Sequence, residues 1–311
     1  MNKLKFGACL NLVPEFLKKH DWKGLRQIAT ECESLGYDSI WVMDHFGWDT
    51  GPDIFECWTT LSALAASTSK IRLGTLVLCN SYRYPSLLAK MAATLDVISS
   101  GRLDFGIGAG YRQIEYEAFG VPFPTLKVRI AQLREAVTLI KRLWTEEKTS
   151  FNGKYYQLHR AEFGPKPMQR PNPPIWIGAY GEKVMLKIVA ELADGWNIVD
   201  NTPEQYAHKM EVLKKHCTSV KRDINEIMKS LLLPVVIDRN SERARKKGQQ
   251  IKPRQISGNS FRTRIVGNPD ECIQRIEEYR KLGMTHFLVE LGTMTTEERR
   301  LFVKEVIPAF K

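Results

Sequence analysis

Short apolar runs alternate along the chain with longer stretches whose apolar positions recur three and four residues apart. Lys5–Leu10 reads as a strand, and Trp22–Leu35 as a helix whose Leu25, Ile28, Ala29, Cys32 and Leu35 share one face, stopped by Gly36. Ser39–Met43, Ile71–Leu78 and Arg102–Ile107 continue the strand series, separated by helices over Glu56–Ser67 and Pro85–Ile98, the second with proline in its first turn. In the second half the pattern predicts strands at Ile175–Gly178, Gly195–Val199, Lys229–Ile237 and His286–Leu291. Helices are predicted at Val128–Trp144, Glu182–Leu192, Pro203–Cys217, Asp270–Leu282 and Glu297–Ile307. Eight strands alternating with eight helices mean parallel strands joined by crossover helices. That number favours a closed α/β architecture, a (β/α)8 TIM barrel, over a doubly wound sheet, for which a Gly-rich dinucleotide fingerprint is expected. The expected organisation is a single domain over residues 1–311 with excursions near 108–127, 149–174 and 238–264, the second rich in proline and outside regular helix.

Composition narrows the class. With 43% hydrophobic and 26% charged residues among 311, the chain can bury a large core, and no apolar stretch approaches the ~18 residues of a membrane-spanning helix. The opening MNKLKFGACLNLVPEF has an apolar run too short and broken for a signal peptide, so a cytoplasmic location with no membrane partner is expected. Cys9, Cys32, Cys57, Cys79, Cys217 and Cys272 form no C-x-x-C pair and read as reduced thiols. The net charge of +11 is concentrated: nine basic residues and one acid between Arg239 and Arg264 give +8, leaving +3 for the rest. That segment reads either as a solvated loop or as a mobile strap over the barrel mouth that an anionic ligand would meet. No known nucleic-acid-binding motif accompanies it, so no nucleic-acid partner is expected.

In such a barrel the chemistry sits where strands hand over to helices. After the second strand come Asp44, His45 and Trp48, which combine a carboxylate, an imidazole and an aromatic wall; an Asp capping a turn beside a structural His is the alternative. The third handover carries Cys79 and Asn80, with Cys79 more simply read as a small buried hydrophobe. The fourth, Gly106-Ile107-Gly108-Ala109-Gly110-Tyr111, lacks the last glycine of a dinucleotide fingerprint. The fifth, Gly178-Ala179-Tyr180-Gly181, runs into a predicted helix N-terminus and suits a ring edge or a phosphate, or is a tight turn. No metal is expected, because Cys9-Leu10-Asn11 stands where a binuclear barrel hydrolase carries His-x-His.

The phrases SIWVMDHF, KIRLGTLVLCNSYRYPSLLAKMAATLDVISSGRLDFGIGAGY, EYEAFGVPFP, SFNGKYYQL, PKPMQRPNPPIWIGAYGEKVMLKIVAELADGWN and VGNPDECIQRIEEYRKLGMTHFLVEL follow one another from the second strand to the eighth. In this order and spacing they resemble the bacterial luciferase-like superfamily, in particular its deazaflavin (coenzyme F420)-dependent oxidoreductase branch. The resemblance implies a luciferase-like TIM barrel with a flavin or deazaflavin across its C-terminal mouth. It places Asp44 and His45 at the reacting edge of the ring and Trp48 at the wall of the substrate pocket. It also implies a bulge with a non-proline cis peptide within Leu76-Val77-Leu78-Cys79-Asn80 behind the ring, and cofactor contacts from Gly108-Ala109-Gly110 and Gly178-Ala179-Tyr180-Gly181. In the sugar-phosphate dehydrogenases of this branch a Glu follows the fourth-strand glycines as acid. Tyr111 stands here instead, and the tryptophan after Asp-His is one residue closer, both of which argue against a sugar phosphate.

The function expected is hydride transfer between F420 and a small-molecule substrate, with His45 or Tyr111 moving the proton. The alternative is an FMN-dependent monooxygenase, which would need a flavin reductase as partner to supply reduced FMN. The basic 239–264 segment favours the cofactor with the long anionic tail, F420. Whether the chain forms a homo-oligomer is left open by the sequence.

Overall fold

Exposure does not alternate along the parallel strands of the barrel. Ser39–Val42 and Leu103–Gly108 are buried throughout and Met228–Ile237 nearly so, the mark of parallel strands covered on both faces. A computed structural model describes residues 3–10, 12, 14–18, 21–47, 51–250, 254–256, 259–261 and 263–311. In it β1 (Lys5–Leu10), β2 (Ser39–Val42), β3 (Arg72–Thr75), β4 (Leu103–Gly108), β5 (Ile175–Gly178), β6 (Gly195–Val199), β7 (Met228–Ile237) and β8 (His286–Glu290) pair in parallel in chain order. Pairing of β8 with β1, Lys5 opposite His286 through Cys9 opposite Glu290, closes an eight-stranded barrel.

The helices that matter for the site are α1 (Trp22–Leu35), α2 (Cys57–Ser67), α3 (Pro85–Ile98), α4 (Gln113–Ala118), α5 (Leu126–Thr145), α6 (Met185–Leu192), α7 (Pro203–Ser219), α8 (Ser241–Gln250), α9 (Pro269–Lys281) and α10 (Thr296–Glu305). Their ends follow local chemistry: Asp21 accepts from the Gly24 N–H at 2.8 Å to start α1, and Gly36, at φ 83°, ends it in a left-handed turn. Thr202, Asn268 and Thr295 form capping boxes at α7, α9 and α10. The main apolar core lies between strands and helices, and a second, smaller one fills the barrel interior. None of the described helices is long and apolar enough to cross a membrane.

The barrel interior is plugged by two indoles. Trp41 and Trp176 meet edge to face with ring centroids 5.4 Å apart, and their N–H groups donate to Ser39 at 2.8 Å and Asp104 at 3.3 Å. Neighbouring strands make room by omitting side chains: a Cβ on Gly74 would collide with the Trp41 ring, and one on Gly195 with the Trp176 ring. His286, at the opposite end of the barrel from the mouth, packs on Trp176, and burial lowers its pKa to about 4.

Two expectations need correction. The third strand is not continuous over Ile71–Leu78: it breaks after Thr75 at a cis Leu76–Val77 peptide and resumes at Leu78–Cys79 beside Ile107 and Gly108. The break has a local cause, because the Thr75 hydroxyl donates to the Gly106 carbonyl at 2.7 Å and accepts its N–H at 2.9 Å, taking up groups a regular ladder would use. The excursion near 149–174 contains an antiparallel hairpin, Lys148–Asn152 with Gln157–Glu162, before the proline-rich stretch. The 239–264 segment is not a strap over the mouth in its first half. Residues 241–250 are α8, and its cations fold back onto neighbouring acids: Arg245 on Glu271 at 2.5 Å, Arg243 on Asp238 at 2.9 Å, Lys247 on Glu298, with Arg239 on Glu305.

Gly74→Ala is expected to lower the unfolding free energy by about 1–3 kcal/mol, the usual cost of overpacking a filled core. Urea denaturation measures it, and a loss below about 0.5 kcal/mol would show that the Trp41 indole can move aside.

Candidate active site

The chain encloses a cavity of about 560 Å3 lined by residues that follow the C-terminal ends of the strands. Its floor is the apolar cluster of the barrel interior, with Met43, Leu76, Val77, Val199 and Leu232. Val77 projects between two strand ends that carry no side chain. A Cβ on Gly108 would lie 2.9 Å from Val77 Cγ2, and one on Gly178 would lie 2.6 Å from the same atom.

Just beyond β2, Asp44 is 5% exposed and has both oxygens engaged. Arg83 donates to Oδ1 at 2.9 Å and to Oδ2 at 2.8 Å, and the Cys79 N–H donates to Oδ2 at 2.9 Å. Arg83 also pairs with Glu56, the N-cap of α2. The next residue, His45, has Nδ1 at 3.0 and 3.1 Å from the two oxygens of Glu115. Glu115 comes from α4, which turns Glu115 and Tyr116 inward and leaves Ile114 exposed. Tyr82 donates its hydroxyl to Glu115 at 2.8 Å, and Arg112 Nε stands 3.1 Å from Oε1. Burial alone would raise the Glu115 carboxyl, but the hydrogen bonds from His45 and Tyr82 and the charge of Arg112 hold it below its ordinary value. A carboxylate only accepts, so the His45 Nδ1 facing Glu115 is the donor, and Glu115 orients the imidazole.

The sequence pattern of one family, described as luciferase-like monooxygenase, matches residues 8–262. The chain belongs to this family. Among its relatives, the F420-dependent glucose-6-phosphate dehydrogenase of Amycolatopsis mediterranei is 28% identical, the match covering 93% of this chain and 95% of that one. The dehydrogenase of the same description from Kineococcus radiotolerans is 41% identical over 55% of this chain and 51% of its own length. Of solved structures, the coenzyme F420 dependent tetrahydromethanopterin reductase from Methanopyrus kandleri superposes with TM-score 0.83 at 22% identity over the whole of both chains. A monooxygenase from Streptomyces bottropensis does so with TM-score 0.83 at 23% identity, over 99% of this chain and 100% of that one. At that identity the two structures speak for the luciferase-like fold alone.

Most residues singled out in the sequence line the luciferase-like cavity: Asp44, His45, Leu76, Val77, Leu78, Cys79, Gly108, Ala109, Gly110, Tyr111, Gly178, Ala179, Tyr180 and Gly181. Asn80 is not among the lining residues; it is buried behind them and its amide faces the Tyr156 hydroxyl at 3.3 Å. Trp48 lies outside the described residues. Tyr111 sets its ring edge-on to His45, centroids 5.9 Å apart. The Tyr180 hydroxyl points away to the Val199 carbonyl at 2.7 Å. No helix starts directly after Gly181, because α6 begins at Met185 and the intervening Glu182 is drawn to Lys209 at 2.6 Å and His208 at 3.2 Å. Gly181 has room for a side chain, its nearest neighbour at 3.7 Å, whereas Gly178 does not.

Sequence reasoning missed three groups. Glu115 opens the EYEAFG phrase but stands seven residues past β4, beyond the handover where acids were sought. Arg83 stands in the third handover, three residues past Asn80, with nothing in the sequence to single it out. Asn197 is an amide inside the apolar strand GWNIV, and that interruption was the available signal. It is 3% exposed and lines the cavity; its Oδ1 accepts from Ser230, and its buried Nδ2 has no partner among the described residues.

Burial pushes the Cys79 thiol up to about 11, against the opposing effect of the Tyr116 hydroxyl 2.9 Å away. Since the thiolate is the reactive form, iodoacetamide at about pH 7.5 should leave Cys79 unmodified, with labelling rising only as the pH nears 11. Rapid labelling at the lower pH, seen by peptide mass spectrometry, would restore Cys79 as a candidate nucleophile.

Proposed function

We propose that this luciferase-like protein is an F420-dependent oxidoreductase that moves a hydride between the deazaflavin and a small organic substrate in the cavity at the barrel mouth. The observation that carries the reading is the His45–Glu115 pair at the wall of that cavity: a carboxylate-oriented imidazole is a proton-transfer device, and hydride transfer to a carbonyl or from a carbinol needs one. The relatives named as F420-dependent dehydrogenases support the choice of cofactor. The basic segment no longer does, since its described cations at 239–247 are largely occupied by Asp238, Glu271, Glu298 and Glu305.

The residues present fit such a cofactor. The Nδ2 of Asn197, buried and without a partner among the described residues, is a donor that a ring carbonyl would satisfy, and a buried amide left bare is costly. Gly108–Gly110, the Gly178–Gly181 turn and the Leu76–Leu78 bulge would hold the ring by backbone and apolar contact. F420, when bound, supplies a two-electron hydride acceptor or donor. In the oxidative direction Nε2 of His45 takes the hydroxyl proton as the hydride leaves the carbinol carbon and the C=O bond forms, and Glu115 stabilises the resulting imidazolium. In the reductive direction the imidazolium returns that proton to the carbonyl oxygen. Asp44, with both oxygens held, positions His45 rather than exchanging protons, and Tyr111 packs against the imidazole.

Titration of the apoprotein with F420 and with FMN, followed by fluorescence, should give the tighter complex with F420; a clear preference for FMN would move the protein to the monooxygenase side of its family. His45→Ala should keep the circular dichroism of the parent and lower turnover ~100-fold or more, and an unchanged rate would remove His45 from the chemistry. Asn197→Val should weaken F420 binding by roughly 10-fold through the lost donor. An unaltered dissociation constant would mean that the amide faces no ligand.

A further inference from the structure

Each of the four carbonyls from Ala179 to Glu182, in the turn between β5 and α6, accepts a hydrogen bond. The Trp196 indole donates to Ala179 at 2.9 Å, Lys209 Nζ to Tyr180 at 2.9 Å, the Leu186 N–H to Gly181 at 3.0 Å and His216 Nε2 to Glu182 at 2.8 Å. Two of these donors stand on α7, about two helical turns apart and so on one face. Lys209 makes a second bond, to Glu182 Oε1 at 2.6 Å, and its ammonium lies 5.7 Å from the centroid of the Tyr180 ring. α7 does not need these contacts to dock, because Tyr206, Leu213 and Cys217 anchor it in the core. The long Lys209 side chain, 15% exposed, thus gives up its rotamer freedom to hold the backbone of a turn that lines the cavity.

We infer that α7 clamps this turn, and that Lys209 and His216 are positioning residues for the cofactor. The inference rests on the reading of the cavity as a cofactor site. A peptide group that turns over carries its carbonyl oxygen to where its N–H was, and the bonds from α7 prevent this at the Tyr180–Gly181 and Glu182–Lys183 peptides. The first of these is the easier to turn, since Gly181 has no Cβ to oppose it. Released, the carbonyl oxygens could face the cavity and repel an anionic cofactor. Held, the turn meets the ligand in one conformation, so that binding does not also have to order it.

Amide hydrogen exchange on the ligand-free full chain, beside fluorescence titration with F420, tests the clamp. Lys209→Met keeps the aliphatic stem and loses the donor. It should speed exchange at Leu186, whose N–H closes the turn onto Gly181, and weaken F420 binding, each by roughly 10-fold, the worth of a hydrogen bond from a charged group. Lys209→Arg should retain most of both, and exchange in β1 and β8 should match the parent throughout. If Lys209→Met does not fold, His216→Leu carries the same pair of measurements. Unchanged exchange at Leu186 overturns the clamp. Faster exchange with an unaltered F420 dissociation constant overturns the positioning role and leaves α7 a structural brace. A parent that binds no F420 sinks the cofactor reading, while the exchange comparison, made without ligand, still decides the clamp.

Discussion

The Asp44 carboxylate holds three pieces of backbone that the barrel by itself would leave independent. Through Arg83 it fixes the entry to α3, through the Cys79 N–H it fixes the resumed third strand, and through its own position it fixes the residue before His45. A buried carboxylate satisfied by three donors is stable only as a set. Loss of Arg83 would strand a charge in the interior, a change that typically costs about 3–5 kcal/mol. The imidazole is thus gripped from two directions, by Asp44 along the chain and by Glu115 across the cavity.

Below the mouth, volume is exchanged between strands. Trp41 and Trp176 occupy space that Gly74 and Gly195 give up, and the indole N–H of Trp176 reaches Asp104, itself clamped at 2.8 Å by Arg72. Polar satisfaction and packing are coupled here, since moving either indole would bare a buried donor as well as open a void. The floor of the cavity therefore rests on a filled barrel.

Much of this was legible in the chain because parallel strands buried on both faces leave uninterrupted apolar runs, and the alternation with helical periods then follows. The helices escaped where partners are remote. α8 carries many cations beside one acid and reads as a loop, until Glu271 and Glu298 are brought alongside by the barrel. The break after Thr75 is invisible to hydropathy, because a hydroxyl substituting for ladder bonds leaves the apolar pattern intact. The strand-end rule located Asp44 and His45 and the glycine turns. It could not locate Glu115, delivered by a short helix, or Asn197, whose buried Nδ2 has no partner among the described residues.

Val77 has a further consequence in its setting. A β-branched side chain has one torsion to vary and few staggered positions to occupy, and here Gly108 and Gly178 surround it with backbone rather than with side chains that could swing away. The base of the cavity is accordingly shaped by backbone at Gly108 and Gly178 and by a side chain with few rotamers. Whatever adaptation the protein makes between one guest and another has to come from above, from α4, while the base keeps its shape.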